Sequence, residues 1–188
     1  MLNCAKLWFG KVHQQDRSLV FPMMVWDALP HSGASQIHPH MQIWLGRDYE
    51  GQFKSMLRDA NEYVTEFGGN YWEDMAEAHV GLGLGVVEGG AVAIVPLTSH
   101  KDHEVMIVAK EVNKDFIFLL SAVMEMYNEK LGVFCRSMGM AFPPMNSRLP
   151  EATLPAVLRV GSRYIYKVYL IVLIKIISLQ GLLFKFSE

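Results

Sequence analysis

His38 and His40 stand two residues apart in SGASQIHPHMQIW, residues 32–44, with Gln42 two residues further on and apolar residues between them. A neutral imidazole is a competent nucleophile near pH 7, because its ordinary pKa of about 6.5 leaves most of it unprotonated. Beside a phosphate it can attack phosphorus and form a covalent intermediate, dividing one hard displacement into two easier ones. The phosphate oxygens then need donors. Gln42 can give amide hydrogens, and the small residues just upstream, Ser32-Gly33-Ala34-Ser35, can give N–H groups and a hydroxyl. Histidines two apart also suit a metal, but no Asp, Glu or Cys stands beside them to complete a ligand set. A hydrogen-bonded surface role is the third reading. Asp27, just ahead of the small-residue loop, opposes phosphate by charge.

The segment Ile37–Trp44 reads as a strand. Side chains alternate with period two, so His38, His40 and Gln42 share one face while Ile37, Met41 and Ile43 turn toward a core. Pro39 lacks an N–H, which assigns this strand to a sheet edge. A polar row on an edge strand suits a cleft.

Other elements must support it. Leu19–Trp26 reads as a buried strand followed by a turn at Leu29-Pro30. Gly51–Phe67 carries apolar residues at helical spacing and ends at Gly68-Gly69, and a second helical patch covers Tyr71–Val80. The glycine-rich GLGLGVVEGG reads as a turn leading into a strand, because its Gly-x-Gly repeats are not a complete phosphate-binding fingerprint. Ala91–Leu97 and Glu104–Ala109 look like strands joined by the polar turn Thr98–His103, so His100 and His103 read as hairpin residues and not metal ligands. A helix should run from an Asn113 cap to Leu131 and stop at Gly132, with a further strand within Val133–Phe142. Hairpin-like strands between long helices favour α+β with a largely antiparallel sheet.

Composition fits one domain with a sizeable core: 188 residues, 51% apolar, 19% charged. The net charge of −2 excludes the basic stripe of a nucleic-acid surface. Cys4 and Cys135 form no CxxC pair and read as reduced thiols, so the expected location is cytoplasmic. His13 and His79 carry no signal, and the twelve methionines read as core filling. From Tyr164 to Phe186 the chain is apolar, but Lys167, Lys175 and Lys185 leave no charge-free run near the ~18 residues of a membrane span.

GASQIHPHMQIW also resembles the active-site motif of the galactose-1-phosphate uridylyltransferase branch of the histidine triad superfamily, where small residues and a Ser precede His-Pro-His-x-Gln. Ser35, His38, Pro39, His40, Gln42, Ile43 and Trp44 all fall in place. The resemblance implies a HIT-like α+β fold of antiparallel sheet and packed helices. On that basis residues 1–68 would be the C-terminal part of a first half, 69–160 a second half, and 161–188 an apolar tail. It implies that His40 is the nucleophile that becomes nucleotidylated. Ser35 and Gln42 would then hold phosphate, with Gly33 and Ala34 in the approaching loop and His38 in support. The implied reaction is nucleotidyl transfer from a nucleoside-diphosphate sugar, of the UDP-glucose/hexose-1-phosphate type. The acceptor would be a sugar phosphate, phosphate or water. The alternative is a shortened, catalytically weak form that binds nucleotide or a partner chain. The implied partners are nucleotide sugar and sugar phosphate, with a homodimer and without nucleic acid or membrane. The resemblance also allows a structural zinc, although its cysteine ligands are absent here; no other cofactor is expected.

Overall fold

The computed structural model describes residues 2–38, 40–145 and 155–162. The apolar tail from 163 onward, and with it the question of a span there, lies outside the described residues; among those described, no helix is long and apolar enough to cross a membrane.

The chain opens with helix α1, Leu2–Gln15, followed by β1, Phe21–Ala28, a single 3-10 turn at Pro30–Ser32, and β2, Gln42–Gly46. Helices α2, Gly51–Phe67, and α3, Tyr71–Gly81, come next, then strands β3, Gly85–Glu88, β4, Ala91–Ile94, and β5, Asp102–Ala109. Helix α4, Lys114–Glu125, widens into a π-turn at Met126–Lys130 before β6, Arg136–Ala141, and β7, Ala156–Ser162. The strands form one seven-stranded sheet in the order β2-β1-β6-β7-β5-β4-β3, and every neighbouring pair is antiparallel. The architecture is α+β, with strands from both predicted halves in the same sheet.

Alternation along the strands sorts the core onto two faces. Met24, Met138, Met140, Leu158, Val105 and Ile107 pack with Phe9 of α1 and Phe116, Leu119 and Val123 of α4. Their neighbours in sequence, Met23, Ala141, Val157, Met106 and Val108, face Phe53 and Ala60 of α2 and Trp72 of α3. The methionines accordingly fill core positions on both faces.

Local signals explain the helix ends. The Asn113 side chain accepts from the Phe116 N–H at 3.0 Å and caps α4, and Asn70 caps α3 through the Trp72 N–H at 3.1 Å. Gly68 closes α2 at φ 70°, a conformation glycine adopts without a Cβ penalty.

Three expectations change. The strand read over Ile37–Trp44 begins only at Gln42. Its last pair with β1 is Val25↔Gln42, so the residues before it have no ladder partner there, and Ile37, expected in the core, is 76% exposed. Helix α1 and strand β7 were not anticipated. The buried stripe of α1 is only Ala5 and Phe9, and exposed Leu7 and Trp8 blur its period. β7 is buried on both faces, so it shows no alternation, and it carries Arg159 in its middle.

Candidate active site

The histidine motif lies at the end of the sheet where β1 and β5 face each other's opposite termini across β6 and β7. Ala28, Arg136, Ser162 and Asp102 follow one another across that end by register. His38 lies in the bend at residues 35–38 and His40 in the irregular stretch just before β2, neither on the strand itself. Period two therefore does not aim their rings. A local hydrogen bond does. His40 Nδ1 lies 3.3 Å from the carbonyl oxygen of His38. A carbonyl can only accept, so Nδ1 carries the hydrogen and the free lone pair is left on Nε2. The two rings lie 5.7 Å apart with a 50° interplanar angle. His40 is half-buried and His38 exposed, so neither ring is sealed in hydrocarbon.

Gln42 opens β2 with its side chain exposed, on the face opposite Ile43. Met41 and Ile43 pack against the core that α1 and α4 cover, as the alternation requires. Upstream, the small-residue loop is a tight turn. The N–H of Ser32 donates to the Leu29 carbonyl at 3.1 Å, that of Gly33 to Pro30 at 3.0 Å, and that of Ala34 to Leu29 at 3.3 Å. Gly33 sits at φ 112°. The Ser32 hydroxyl donates back to the Ala28 carbonyl, and Ser32 and Ala34 are buried. The N–H groups of Gly33 and Ala34, expected to face phosphate, are thus engaged in closing the turn. Ser35 is the first residue past the turn and is exposed.

Sequence reasoning missed what lies underneath. Asp27 does not stand free: the Ser137 hydroxyl donates to its Oδ1, and Ser137 Oγ also lies 3.0 Å from the Ser32 carbonyl. Further across the same sheet face, Arg159 makes a buried fork to Glu104, 2.5 Å from Nη2 to Oε1. Its Nη1 reaches Gln52 Oε1 of α2 at 2.9 Å, and the His100 N–H donates to the other Glu104 oxygen at 2.7 Å. No short-range pattern announces partners so far apart in sequence.

His103 belongs to the hairpin, as expected, but is only half solvated. It takes a left-handed φ of 51°, and its Nδ1 is 3.2 Å from Ser162 Oγ. Among the described residues no group of three His, Cys, Asp or Glu could hold a metal ion. A cleft of about 1360 Å³ opens at the opposite end of the sheet, between α3, the Gly89-Gly90 turn, Lys110-Glu111 and Pro143–Met145. It does not include the histidines.

No protein-family model matches the chain, and no curated protein matches it in sequence. Solved structures do match in shape. A uridylyltransferase superposes with a TM-score of 0.75 at 15% identity, over all of this chain and 68% of that one. A GalT-like protein from Arabidopsis thaliana gives 0.69 at 15% identity, over 93% of this chain and 66% of that one. An ADP-glucose phosphorylase from Arabidopsis thaliana with bound ADP-glucose gives 0.64 at 16% identity, over 91% of this chain and 62% of that one. At these identities the likeness is one of fold.

Proposed function

We propose that this chain, which has the fold of the uridylyltransferases, is a nucleotidylyltransferase that works through a covalent nucleotidyl-histidine on His40. The observation that carries this reading is the contact between His40 Nδ1 and the His38 carbonyl. It favours the tautomer whose Nε2 lone pair is available, on a ring that is only half-buried.

In the first step Nε2 attacks the α-phosphorus of a nucleoside-diphosphate sugar. The N–P bond forms as the bond to the bridging oxygen breaks, and the sugar 1-phosphate leaves with the electron pair. The Nδ1 hydrogen stays on the ring and is held by the His38 carbonyl, which stabilises the positive charge the imidazole acquires. The Ser35 hydroxyl and the Gln42 amide supply donors to the phosphate oxygens, and His38 shapes the approach to the ring. In the second step an acceptor oxygen takes the nucleotide and restores the imidazole. A hexose 1-phosphate acceptor gives the UDP-glucose/hexose-1-phosphate reaction; phosphate or water gives a phosphorylase or hydrolase. The ADP-glucose bound in one structural neighbour supports a nucleotide sugar as the donor class.

The test is direct labelling. Folded protein incubated with nucleotide sugar radiolabelled in its α-phosphate, then quenched, should carry acid-labile label on His40 and lose it in His40→Ala. Properly folded protein without label would overturn the reading. A second reading, nucleotide binding without turnover, draws on the engagement of the Gly33 and Ala34 N–H groups within the turn. Nucleotide binding that His40→Ala leaves unchanged, together with absent label, would favour it.

A further inference from the structure

Two segments distant in sequence, β1 with the turn that follows it and β6, meet directly behind the loop that leads into the histidines. Asp27 of β1 pairs in register with Ser137 of β6, and Ser32 occupies the turn that follows β1. The Ser137 hydroxyl bonds Asp27 Oδ1 and lies 3.0 Å from the Ser32 carbonyl. The Ser32 hydroxyl ties down to the Ala28 and Leu29 carbonyls. Both serines are buried. The bonds Ser32 Oγ–Ala28 O and Ser137 Oγ–Ser32 O are themselves buried, so losing either leaves an unsatisfied polar group.

Resting on the transfer reading above, we infer that Ser137 and Asp27 are positioning residues: together they clamp the turn at residues 29–34 to the sheet and so set where Ser35 and His40 meet the α-phosphate. Neither residue touches the reacting atoms. They act through Ser32, whose carbonyl accepts from the Ser137 hydroxyl of β6. The three N–H bonds within the turn make it a rigid unit, so moving Ser32 moves the whole loop. A misplacement of about 1 Å at a phosphate site costs on the order of 10²-fold in rate.

The arrangement also has a definite chemistry. A serine hydroxyl has a single hydrogen, yet Ser137 faces two acceptors, the Asp27 carboxylate and the Ser32 carbonyl. An amide at position 27 would donate to Ser137 Oγ and free the serine hydrogen for the Ser32 carbonyl. Asp27→Asn should therefore keep the clamp, whereas Asp27→Ala and Ser137→Ala should release it. Asp27→Leu, branched like Asp but without a hydrogen-bonding group, should release it as well, whereas a merely space-filling role would survive in Asp27→Leu.

Two readouts on the intact chain test this. The first is amide hydrogen exchange at Ser32, Gly33 and Ala34, which needs no activity. Exchange should accelerate at least tenfold in Ser137→Ala and Asp27→Ala and stay near wild type in Asp27→Asn and Ser137→Thr. The second is the rate of His40 labelling, which should fall by on the order of 10- to 100-fold in the two alanine variants and recover in the two conservative ones. Thermal unfolding confirms that each variant folds. Unchanged exchange in Ser137→Ala, or equal exchange in Asp27→Asn and Asp27→Ala, overturns the clamp. Faster exchange with undiminished labelling overturns the positioning role. Failure of the wild-type protein to label overturns the transfer reading, and with it the clamp's role in transfer, while the exchange arm still decides whether the clamp exists.

Discussion

The ring nitrogen Nδ1 of His40 is held by the carbonyl oxygen of His38, two residues earlier, at 3.3 Å. The proposed nucleophile is thus oriented by a backbone carbonyl of its own segment. Nitrogen-15 NMR of ring-labelled protein near pH 8 should show His40 predominantly as the Nδ1–H tautomer. The nucleotidyl adduct, isolated by peptide mapping, should be attached through Nε2. Attachment through Nδ1 would contradict the assigned geometry.

The buried pair Arg159–Glu104 has side chains only 5% and 1% exposed. Removing one partner strands the other charge without its counter-ion, so Arg159→Met and Glu104→Leu should each cost about 3–5 kcal/mol in urea unfolding. The double variant should recover a substantial part of that loss, because an apolar pair has no charge to desolvate. A loss of under about 1 kcal/mol in the single variants would show that the pair is solvated in solution.

Tyr49 and Tyr127 are buried phenols, and burial pushes both pKa values above the ordinary 10. The Tyr49 hydroxyl donates to the Phe142 carbonyl at 2.5 Å, and that of Tyr127 reaches the His103 and Val160 carbonyls. The folded chain keeps these protons at a pH where the unfolded chain loses them. Their contribution is therefore complete below about pH 10 and declines above it, by at most about 1.4 kcal/mol per pH unit for each tyrosine. Urea unfolding between pH 8 and 11 should show this decline. The Tyr49→Phe, Tyr127→Phe double variant should flatten it, at a cost of roughly 1–2 kcal/mol per site at neutral pH. An alkaline slope that the double variant leaves intact would locate the effect elsewhere.

What the sequence made legible follows from range. Helix α2 was readable because Phe53, Met56, Leu57 and Ala60 recur at helical spacing and Gly68 ends it. The hairpin of β4 and β5 and the cap at Asn113 rest on equally local chemistry. The strand over Ile37–Trp44 reads too long because alternation says nothing about where the ladder to a partner strand ends, and here the β1–β2 ladder ends at Val25↔Gln42. The motif residues were visible as a cluster within a few positions. Their supports were not: Ser137 is 110 positions from Asp27 and 105 from Ser32, and Arg159 is 55 from Glu104. Ser137 in a stretch reading CRSMGMA looks like any strand residue until β6 is laid beside β1.

That separation has a kinetic corollary. During synthesis the motif leaves the ribosome about a hundred residues before the strand that braces it, and closing so long an interval is slow. A peptide spanning only the motif contains every proposed site residue yet lacks its backing. Competence of the loop should therefore emerge late in folding, together with completion of the central sheet.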